Sequence, residues 1–186
     1  GQAAAASIRA DLAGASEKAR AVTLDALQFA FDPAVPREYP ISLYIRGGNL
    51  YNKDLKRNVI TLARIASGAS AQPEYYDGGR REMMEAAVEK YPDITGADCS
   101  GGIVGLLRHN GCVESGFDTT ADGFRRSGRM RSIGAEELLP GDLVHKSGHI
   151  GLYAGGGYVV EWMGGAYGCQ LTKRTARKGY NNPNAK

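Results

Sequence analysis

Hydrophobic residues recur every three or four positions in three stretches of the first half of the chain, which predicts three amphipathic helices. These stretches are 7–31, 52–67 and 79–91. Their inward positions are expected to be Ala15, Ala19, Val22, Ala26 and Phe29 in the first stretch, Leu55, Val59, Leu62 and Ala66 in the second, and Met83, Met84, Ala87, Val88 and Tyr91 in the third. Gly68 is expected just past the second helix, and the Pro-rich segment 33–43 is predicted to be extended.

In the second half of the chain, the spacing of hydrophobic residues changes from helical to alternating. A further helix is predicted to begin near Cys99 and to end at Gly111, followed by a long polar loop over 112–132 and a helical turn at 136–139. Alternating hydrophobic and polar residues then predict four short strands, 143–145, 149–153, 158–162 and 168–171. Helices followed by hairpin-connected strands are typical of an α+β fold, with helices packed on one face of a small antiparallel sheet. Residues 181–186 are predicted to be a frayed tail.

Length and charge indicate the number of domains and exclude some classes of partner. The chain has 186 residues, which indicates one domain. A net charge of +3 is too small to predict nucleic-acid binding, so the two basic clusters are interpreted as solvated surface, with mild attraction to an anionic polymer as the alternative. They are Arg125, Arg126, Arg129 and Arg131, then Lys173, Arg174, Arg177 and Lys178.

No apolar run approaches the roughly 18 residues of a membrane span, and no signal peptide is predicted in this sequence.

Three cysteines, Cys99, Cys112 and Cys169, leave at least one thiol free within the chain. No Cys-x-x-Cys pair is present and the three histidines lack zinc spacing, so no structural metal site is predicted. Cys99 is the strongest chemical candidate because it lies in the first turn of a predicted helix, where unpaired N–H groups and the helix dipole favour a thiolate. The alternative is a buried cysteine that packs as a small apolar residue.

His149 and Glu161 lie on neighbouring predicted strands. If residues 155–157 form a three-residue loop, Ala154 opposes Tyr158, and His149 and Glu161 share one face as diagonal neighbours about 7–8 Å apart. A two-residue turn would place them on opposite faces unless a bulge intervenes. The alternatives are a satisfied edge-strand histidine and a solvent-facing glutamate.

Together these residues predict a Cys–His–acid site. The imidazole would take the thiol proton, and the carboxylate would hold the imidazole in one tautomer and orientation. His109 and His145 fit the role of the base less well, since His109 falls in the last turn of the Cys99 helix and is better explained by a favourable charge there.

At this point the sequence resembles the NlpC-type cysteine peptidases of bacterial cell-wall peptides, which are papain-like. Four segments carry the resemblance, and it covers about 15–50 and 96–172. They are Tyr44-Ile45-Arg46-Gly47-Gly48, Asp98-Cys99-Ser100-Gly101, Leu139-Pro140-Gly141-Asp142-Leu143-Val144 and Gly148-His149-Ile150-Gly151-Leu152-Tyr153 followed by Gly155-Gly156-Gly157.

The resemblance implies a role for each matching residue. Cys99 would be the nucleophile, His149 the base and Glu161, twelve positions later, the third residue. Glutamate departs from the usual His, Asn or Gln and is similar to a subset found in phage and prophage lysins. Tyr44 would lie near the oxyanion and help to bind substrate, and Asp98 and Ser100 would touch the amino end of the peptide.

The implied function is hydrolysis of peptide bonds in peptidoglycan stem peptides, at the bond after D-γ-glutamate, without metal or organic cofactor. The alternatives are an amidase or endopeptidase of the CHAP type, which often uses Glu as its third residue, a non-catalytic wall-binding or phage-tail module, and an acyltransferase. The resemblance implies a secreted, cell-envelope or phage-associated protein.

One departure concerns architecture. The Tyr-x-x-Gly-Gly element usually lies shortly before the nucleophile, whereas here about fifty residues intervene. We therefore predict a single catalytic domain over 1–186 with a helical insertion at about 49–96 that walls or covers the cleft.

Overall fold

The computed structural model describes residues 2–32, 34 and 37–176, apart from the side chain of Ala166. The expected tail at 181–186, three positions of the Pro-rich segment (33, 35 and 36) and the basic residues Arg177 and Lys178 lie outside the described residues. Within them the protein is a mixed α+β fold. The helices are α1 (Gln2–Ala13), α2 (Glu17–Ala30), α3 (Leu62–Ala71), α4 (Arg80–Lys90), α5 (Cys99–His109) and α6 (Ala121–Arg126). The strands are β1 (Ser42–Tyr44), β2 (Thr95–Ala97), β3 (Leu143–Lys146), β4 (His149–Gly155), β5 (Tyr158–Met163) and β6 (Gly168–Lys173).

The first predicted helix, 7–31, is in fact two helices. Its inner residues Val22, Ala26 and Phe29 are buried as expected, but the chain breaks after α1 and restarts at α2. Ser16 caps α2 by accepting the Ala19 N–H at 3.2 Å. A glycine at position 14 weakens the helix and a serine two residues later offers a cap, which together favour the break.

The second predicted helix, 52–67, is wrong in its first half. Leu55 and Val59 were expected inside, yet they are 40% and 41% exposed. Helix α3 begins only after Thr61, whose side chain accepts the Arg64 N–H at 3.1 Å and so supplies the cap. The segment before it is not helical: Asn52 and Leu55 close a turn, and Val59 then forms an antiparallel bridge with Thr95.

Gly68 was expected to follow this helix but lies inside α3. A Cβ at this position would meet the Tyr76 hydroxyl at 2.0 Å, so glycine allows the tyrosine to pack against the helix. The third and fourth predicted helices, by contrast, are confirmed as α4 and α5 within one or two residues.

The region 112–132 is not a continuous loop, because it contains α6. Thr120 caps this short helix by accepting the Gly123 N–H at 3.0 Å, and Phe124 anchors it with 1% of its surface exposed. Six residues are too few for a hydrophobic period to stand out in the sequence.

The sheet has six strands in the order β2-β1-β6-β5-β4-β3. The four strands predicted from alternation are present, and their pairings are antiparallel. The expectation of a purely antiparallel sheet is wrong, because β1 and β2 add a parallel pair. These two strands have three residues each, which is too short for alternation to reveal them.

Helices cover both faces of the sheet rather than one. Helices α1, α2 and α5 pack on one face around a core that contains Phe29 and Trp162. On β1, Leu43 points to the opposite face from Ser42 and Tyr44, and Leu43 joins a second core with residues of α3 and α4. Helices α3 and α4 therefore form their own small layer beside the end of the sheet that carries Tyr44.

Helix α5 lies unusually close to its neighbours because of its glycines. A Cβ at Gly101 would meet the carbonyl oxygen of Gly48 at 1.8 Å, and one at Gly102 would meet the Trp162 ring at 2.2 Å. The two glycines therefore let the start of α5 press against both the loop after β1 and strand β5. In the described part of the chain, no helix has the length and apolar character needed to cross a membrane.

Candidate active site

Cys99 is the first residue of α5, and Asp98 caps that helix. The side chain is largely buried, with 8% of the residue exposed. Its sulfur lies 3.8 Å from the carbonyl oxygen of Gly148. Burial raises the pKa of the Cys99 thiol above its ordinary value and the Asp98 carboxylate raises it further, while backbone N–H groups of Ser100 and Ile150 oppose the rise. Position at a helix start therefore does not by itself produce a thiolate here.

His149 and Glu161 form a direct hydrogen bond between strands β4 and β5. The imidazole Nε2 lies 2.6 Å from a carboxylate oxygen of Glu161. Because a carboxylate only accepts, Nε2 carries the proton and donates it. The imidazole therefore presents its other nitrogen, Nδ1, on the side away from Glu161.

Glu161 is completely buried, with 0% of its surface exposed. Its second carboxylate oxygen accepts a short hydrogen bond from the Thr172 hydroxyl on β6. A buried carboxylate is stable only when its oxygens are satisfied, and these two partners supply that. The alternative of a solvent-facing glutamate is excluded by this burial.

A β-bulge places His149 and Glu161 on the same face. The turn has two residues, Gly156 and Gly157, since Gly155 pairs with Tyr158. Of the two turns considered from the sequence, the three-residue loop is therefore excluded, and the two-residue turn with a bulge is the one observed. The register shifts between Tyr153 and Gly155, after which Leu152 pairs with Val160. A two-residue turn alone would place His149 and Glu161 on opposite faces of the sheet. The extra residue of the bulge returns them to the same face.

Cys99 and His149 meet through the backbone on either side of the histidine. The carbonyl of Gly148 contacts the sulfur, and the N–H of Ile150 is one of the groups that lower the pKa of the thiol. Residues 148 and 150 thus both touch Cys99, and His149 lies between them. The structure therefore places the segment that carries His149 against Cys99, and it places the imidazole of that histidine on Glu161.

Tyr44 lies at the end of β1, beside this group. Burial raises the pKa of the Tyr44 hydroxyl, and the charges of Cys99 and Asp98 add to the rise, while a hydrogen bond from Arg46 opposes it. An electrostatic effect of Cys99 on Tyr44 requires the two side chains to be near each other. The long insertion between them in sequence has not separated them in space.

Asp98 and Ser100 connect the start of α5 to the loop after β1. One Asp98 oxygen accepts the Gly101 N–H at 2.7 Å and the Ser100 hydroxyl at 3.2 Å, and the other accepts the Gly47 N–H at 2.9 Å. Both oxygens therefore have internal partners that fix the Tyr44 loop to Cys99. That these residues touch substrate stays a prediction.

Asp122 on α6 is a residue that the sequence did not single out. One of its oxygens accepts the Gly148 N–H at 3.0 Å and a bond from His145 Nε2 at 2.8 Å. It therefore holds the turn whose carbonyl faces the Cys99 sulfur. The signal available was Thr120 two positions earlier, a typical helix cap.

His109 and Cys112 lie apart from this group. His145 contacts it through Asp122, and Cys169 lies beside it, since it pairs with Trp162 next to Glu161. His109 ends α5, where its Nδ1 is 2.9 Å from Asp25 and its ring stacks on Tyr51 with centroids 4.2 Å apart. All three cysteines are free; Cys112 is exposed and Cys169 is buried. Among the described residues, no group of three or more His, Cys, Asp or Glu side chains could hold a metal ion.

Comparisons with known proteins give limited information. No family model matches the sequence, and no curated protein matches it. Among solved structures, the chain is similar to that of NlpC2 from Trichomonas vaginalis, with a TM-score of 0.48 and 16% sequence identity. The match covers 89% of this chain and 44% of that chain, so this chain spans less than half of the length of its neighbour. A likeness this distant does not assign a function, which has to be argued from the site.

Proposed function

We propose that the protein is a papain-like cysteine peptidase of the NlpC type that hydrolyses peptide bonds in bacterial peptidoglycan stem peptides. The observation that supports it most is the arrangement of three side chains. The sulfur of Cys99 is held by the residues on both sides of His149, and His149 is bonded to the buried Glu161. A thiol, an imidazole and a carboxylate in this order are the parts of a nucleophilic hydrolase.

The chemistry begins with a proton transfer. Because burial raises the pKa of the Cys99 thiol, the nucleophile needs a base, and Nδ1 of His149 takes the proton. The resulting imidazolium is stabilised by the Glu161 carboxylate at 2.6 Å. Glu161 also keeps Nε2 protonated, which leaves Nδ1 as the nitrogen that accepts.

The thiolate then attacks the amide carbon of the substrate. A C–S bond forms and the carbonyl oxygen becomes an oxyanion near Tyr44 and the start of α5, where the helix dipole favours negative charge. The imidazolium donates its proton to the amide nitrogen, the C–N bond breaks and the amine leaves. Water, deprotonated by His149, attacks the thioacyl carbon, the C–S bond breaks and the free acid leaves.

The substrate and setting follow from the resemblance. The bond after D-γ-glutamate is the proposed site of cleavage, no cofactor takes part, and the protein acts in the cell envelope, outside the cell or with a phage. Glu161 as the third residue also favours a second candidate, a CHAP-type amidase or endopeptidase, whose products differ.

Mass spectrometry of muropeptides after digestion tests the proposal. We expect the wild type to release products cut after D-γ-glutamate, Cys99→Ala to release none, and Cys112→Ala, an exposed thiol away from the site, to behave as the wild type. Products cut between glycan and peptide would instead support the amidase. Binding to peptidoglycan with no cleavage by any variant would indicate a non-catalytic module.

A further inference from the structure

Three arginines, Arg46, Arg64 and Arg80, lie in one contact network beside Tyr44, and we call them the arginine rim. Arg64 and Arg80 belong to the 49–96 insertion. Arg64 Nη2 donates to the carbonyl oxygen of Arg46 at 3.1 Å, and Arg80 Nη1 donates to that of Tyr75 at 3.2 Å. The Arg46 guanidinium lies 5.0 Å from the centre of the same Tyr75 ring.

The arginine rim is connected to the candidate site through Tyr167 and Tyr44. The Arg80 guanidinium lies 5.0 Å from the centre of the Tyr167 ring, and the Tyr167 carbonyl accepts the Tyr44 N–H at 2.9 Å. Arg46 hydrogen-bonds Tyr44 and acts electrostatically on Cys99. Arg46 thus places positive charge near the sulfur, and Arg64 and Arg80 of the insertion lie in the same contact network.

The charge of the rim is not neutralised. Across residues 2–32, 34 and 37–176, no carboxylate lies within 4.0 Å of a rim guanidinium. Asp98, the acid that acts on Arg46 electrostatically, already accepts three hydrogen bonds. Three other cations of the insertion are paired with carboxylates: Lys56 with Asp54, Arg81 with Glu85 at 2.7 Å, and Lys90 with Glu38.

Arg80 also has unused hydrogen-bonding capacity. Its Nε is buried, and within the described residues it has no hydrogen-bond partner. A guanidinium with a buried unbonded N–H carries a cost that an acceptor on a ligand would relieve. Guanidinium groups match carboxylates in geometry and charge, and can bind them with two parallel hydrogen bonds.

We propose that the arginine rim binds a carboxylate of the substrate, so that the insertion selects peptides with a free carboxylate close to the scissile amide. This inference rests on the proposed function. It gives the insertion a role in specificity, because two of the three rim arginines, Arg64 and Arg80, belong to it.

Alkylation with two reagents of different charge tests the rim without any substrate. Iodoacetate and iodoacetamide both transfer a carbon to the sulfur and expel iodide, but only iodoacetate is an anion. The ratio of their rates cancels changes in the thiolate fraction, and Cys112 in the same sample gives a reference. We expect Arg46→Gln and Arg80→Gln each to lower the ratio at Cys99 about threefold to tenfold, and Arg81→Gln, the paired neighbour on the same helix, to leave it unchanged.

A ratio unchanged in both rim variants overturns the proposal. Arg46 is exposed, so its variant stays informative if Arg80→Gln fails to fold. The second arm compares two synthetic tripeptides, L-Ala-D-γ-Glu-L-Lys and its analogue with the glutamyl carboxylate amidated. We expect the acid to be preferred in kcat/KM by the wild type and the preference to fall in the rim variants.

The two arms separate the two hypotheses. If neither peptide nor peptidoglycan is cleaved but the alkylation ratio falls in the rim variants, the hydrolase is wrong and the anion site stands. If the peptides are cleaved with equal efficiency, or if the rim variants keep the wild-type preference, the hydrolase stands and the rim is wrong.

Discussion

Replacing Glu161 by glutamine removes one charge from the site and little else. Glutamine keeps the shape, its carbonyl oxygen can accept from His149 Nε2, and its amide can donate to the Thr172 oxygen. The carboxylate is fully buried and 2.6 Å from the imidazole. Coulomb attraction between opposite unit charges about 4 Å apart is about 1 kcal/mol in water and about 4 kcal/mol at an effective dielectric constant of about 20, so we take the loss to be about 1–4 kcal/mol.

In the proposed mechanism, loss of the Glu161 charge changes the reactivity of the Cys99 thiol. Without the carboxylate the imidazolium is less stable, so less of Cys99 exists as thiolate paired with it. We expect the rate of alkylation by iodoacetamide at pH 6–7 to fall about 10- to 1000-fold. Its pH profile should move towards higher pH, in the direction of the raised pKa of the isolated thiol.

The stability of the variant is part of the prediction. Removing a buried charge also removes its desolvation cost, so we expect the free energy of unfolding in urea to change by no more than about 1 kcal/mol. Thr172→Val is the matched control, because it removes the other partner of Glu161 and leaves the charge. An unchanged alkylation profile together with a large loss of stability would show that Glu161 is structural, and the reasoning would fail.

Three further predictions concern how the site is held. Gly101→Ala should lower the free energy of unfolding by about 2 kcal/mol or more in urea titrations, because its Cβ would meet the Gly48 carbonyl, whereas Gly14→Ala, with only a distant contact, should be nearly neutral. Ser42→Ala should cost about 1–3 kcal/mol by the same measurement, since the Ser42 oxygen accepts from buried Trp162 and Thr95; a neutral result would contradict this. Asp122→Ala should lower Tm and slow the alkylation of Cys99. The Gly148 N–H and then His145 lower the pKa of Asp122, so its stabilisation is full above about pH 4, the ordinary pKa of Asp, and is lost as pH falls through the lowered pKa; a Tm difference that does not shrink on acidification would contradict this.

The sequence predicted the parts of the molecule that depend on local pattern. The four strands from 143 onwards could be predicted because short runs of strand-forming residues are separated by turns, although β4 and β5 are buried on both faces. Helix α5 could be predicted because Asp98 is a strong cap and the residues after the glycines are apolar. Cys99, His149 and Glu161 could be grouped because their side chains are the parts of a Cys–His–acid site. The register of the hairpin then placed His149 and Glu161 on the same face of the sheet.

The rest depended on contacts between distant segments. Strands β1 and β2 exist because they pair with each other, and three residues carry no readable period. The stretch 52–67 has helical spacing, but the turn between Asn52 and Leu55 and the bridge between Val59 and Thr95 keep its first half from forming a helix. The bulge at Ala154 is likewise a property of the pair β4–β5, not of either strand alone.

Asp122 is an example of a residue near the site that could not be predicted from the sequence, although the position of the site could. Its partners His145 and Gly148 are more than twenty positions away, and the Thr120 cap predicts a helix start without assigning the aspartate after it to the site. The same holds for Arg80, whose place beside Tyr167 depends on how the insertion packs.

The most direct test of the central claim is to find the bond that Cys99 forms. Muropeptides mixed with the protein are quenched in acid during turnover, the protein is cut with trypsin, and the peptide 91–108, which contains Cys99, is weighed by mass spectrometry. The account predicts an acyl adduct on the Cys99 sulfur in the wild type, and neither adduct nor cleavage in Cys99→Ala. Cleavage that continues undiminished in Cys99→Ala would contradict it.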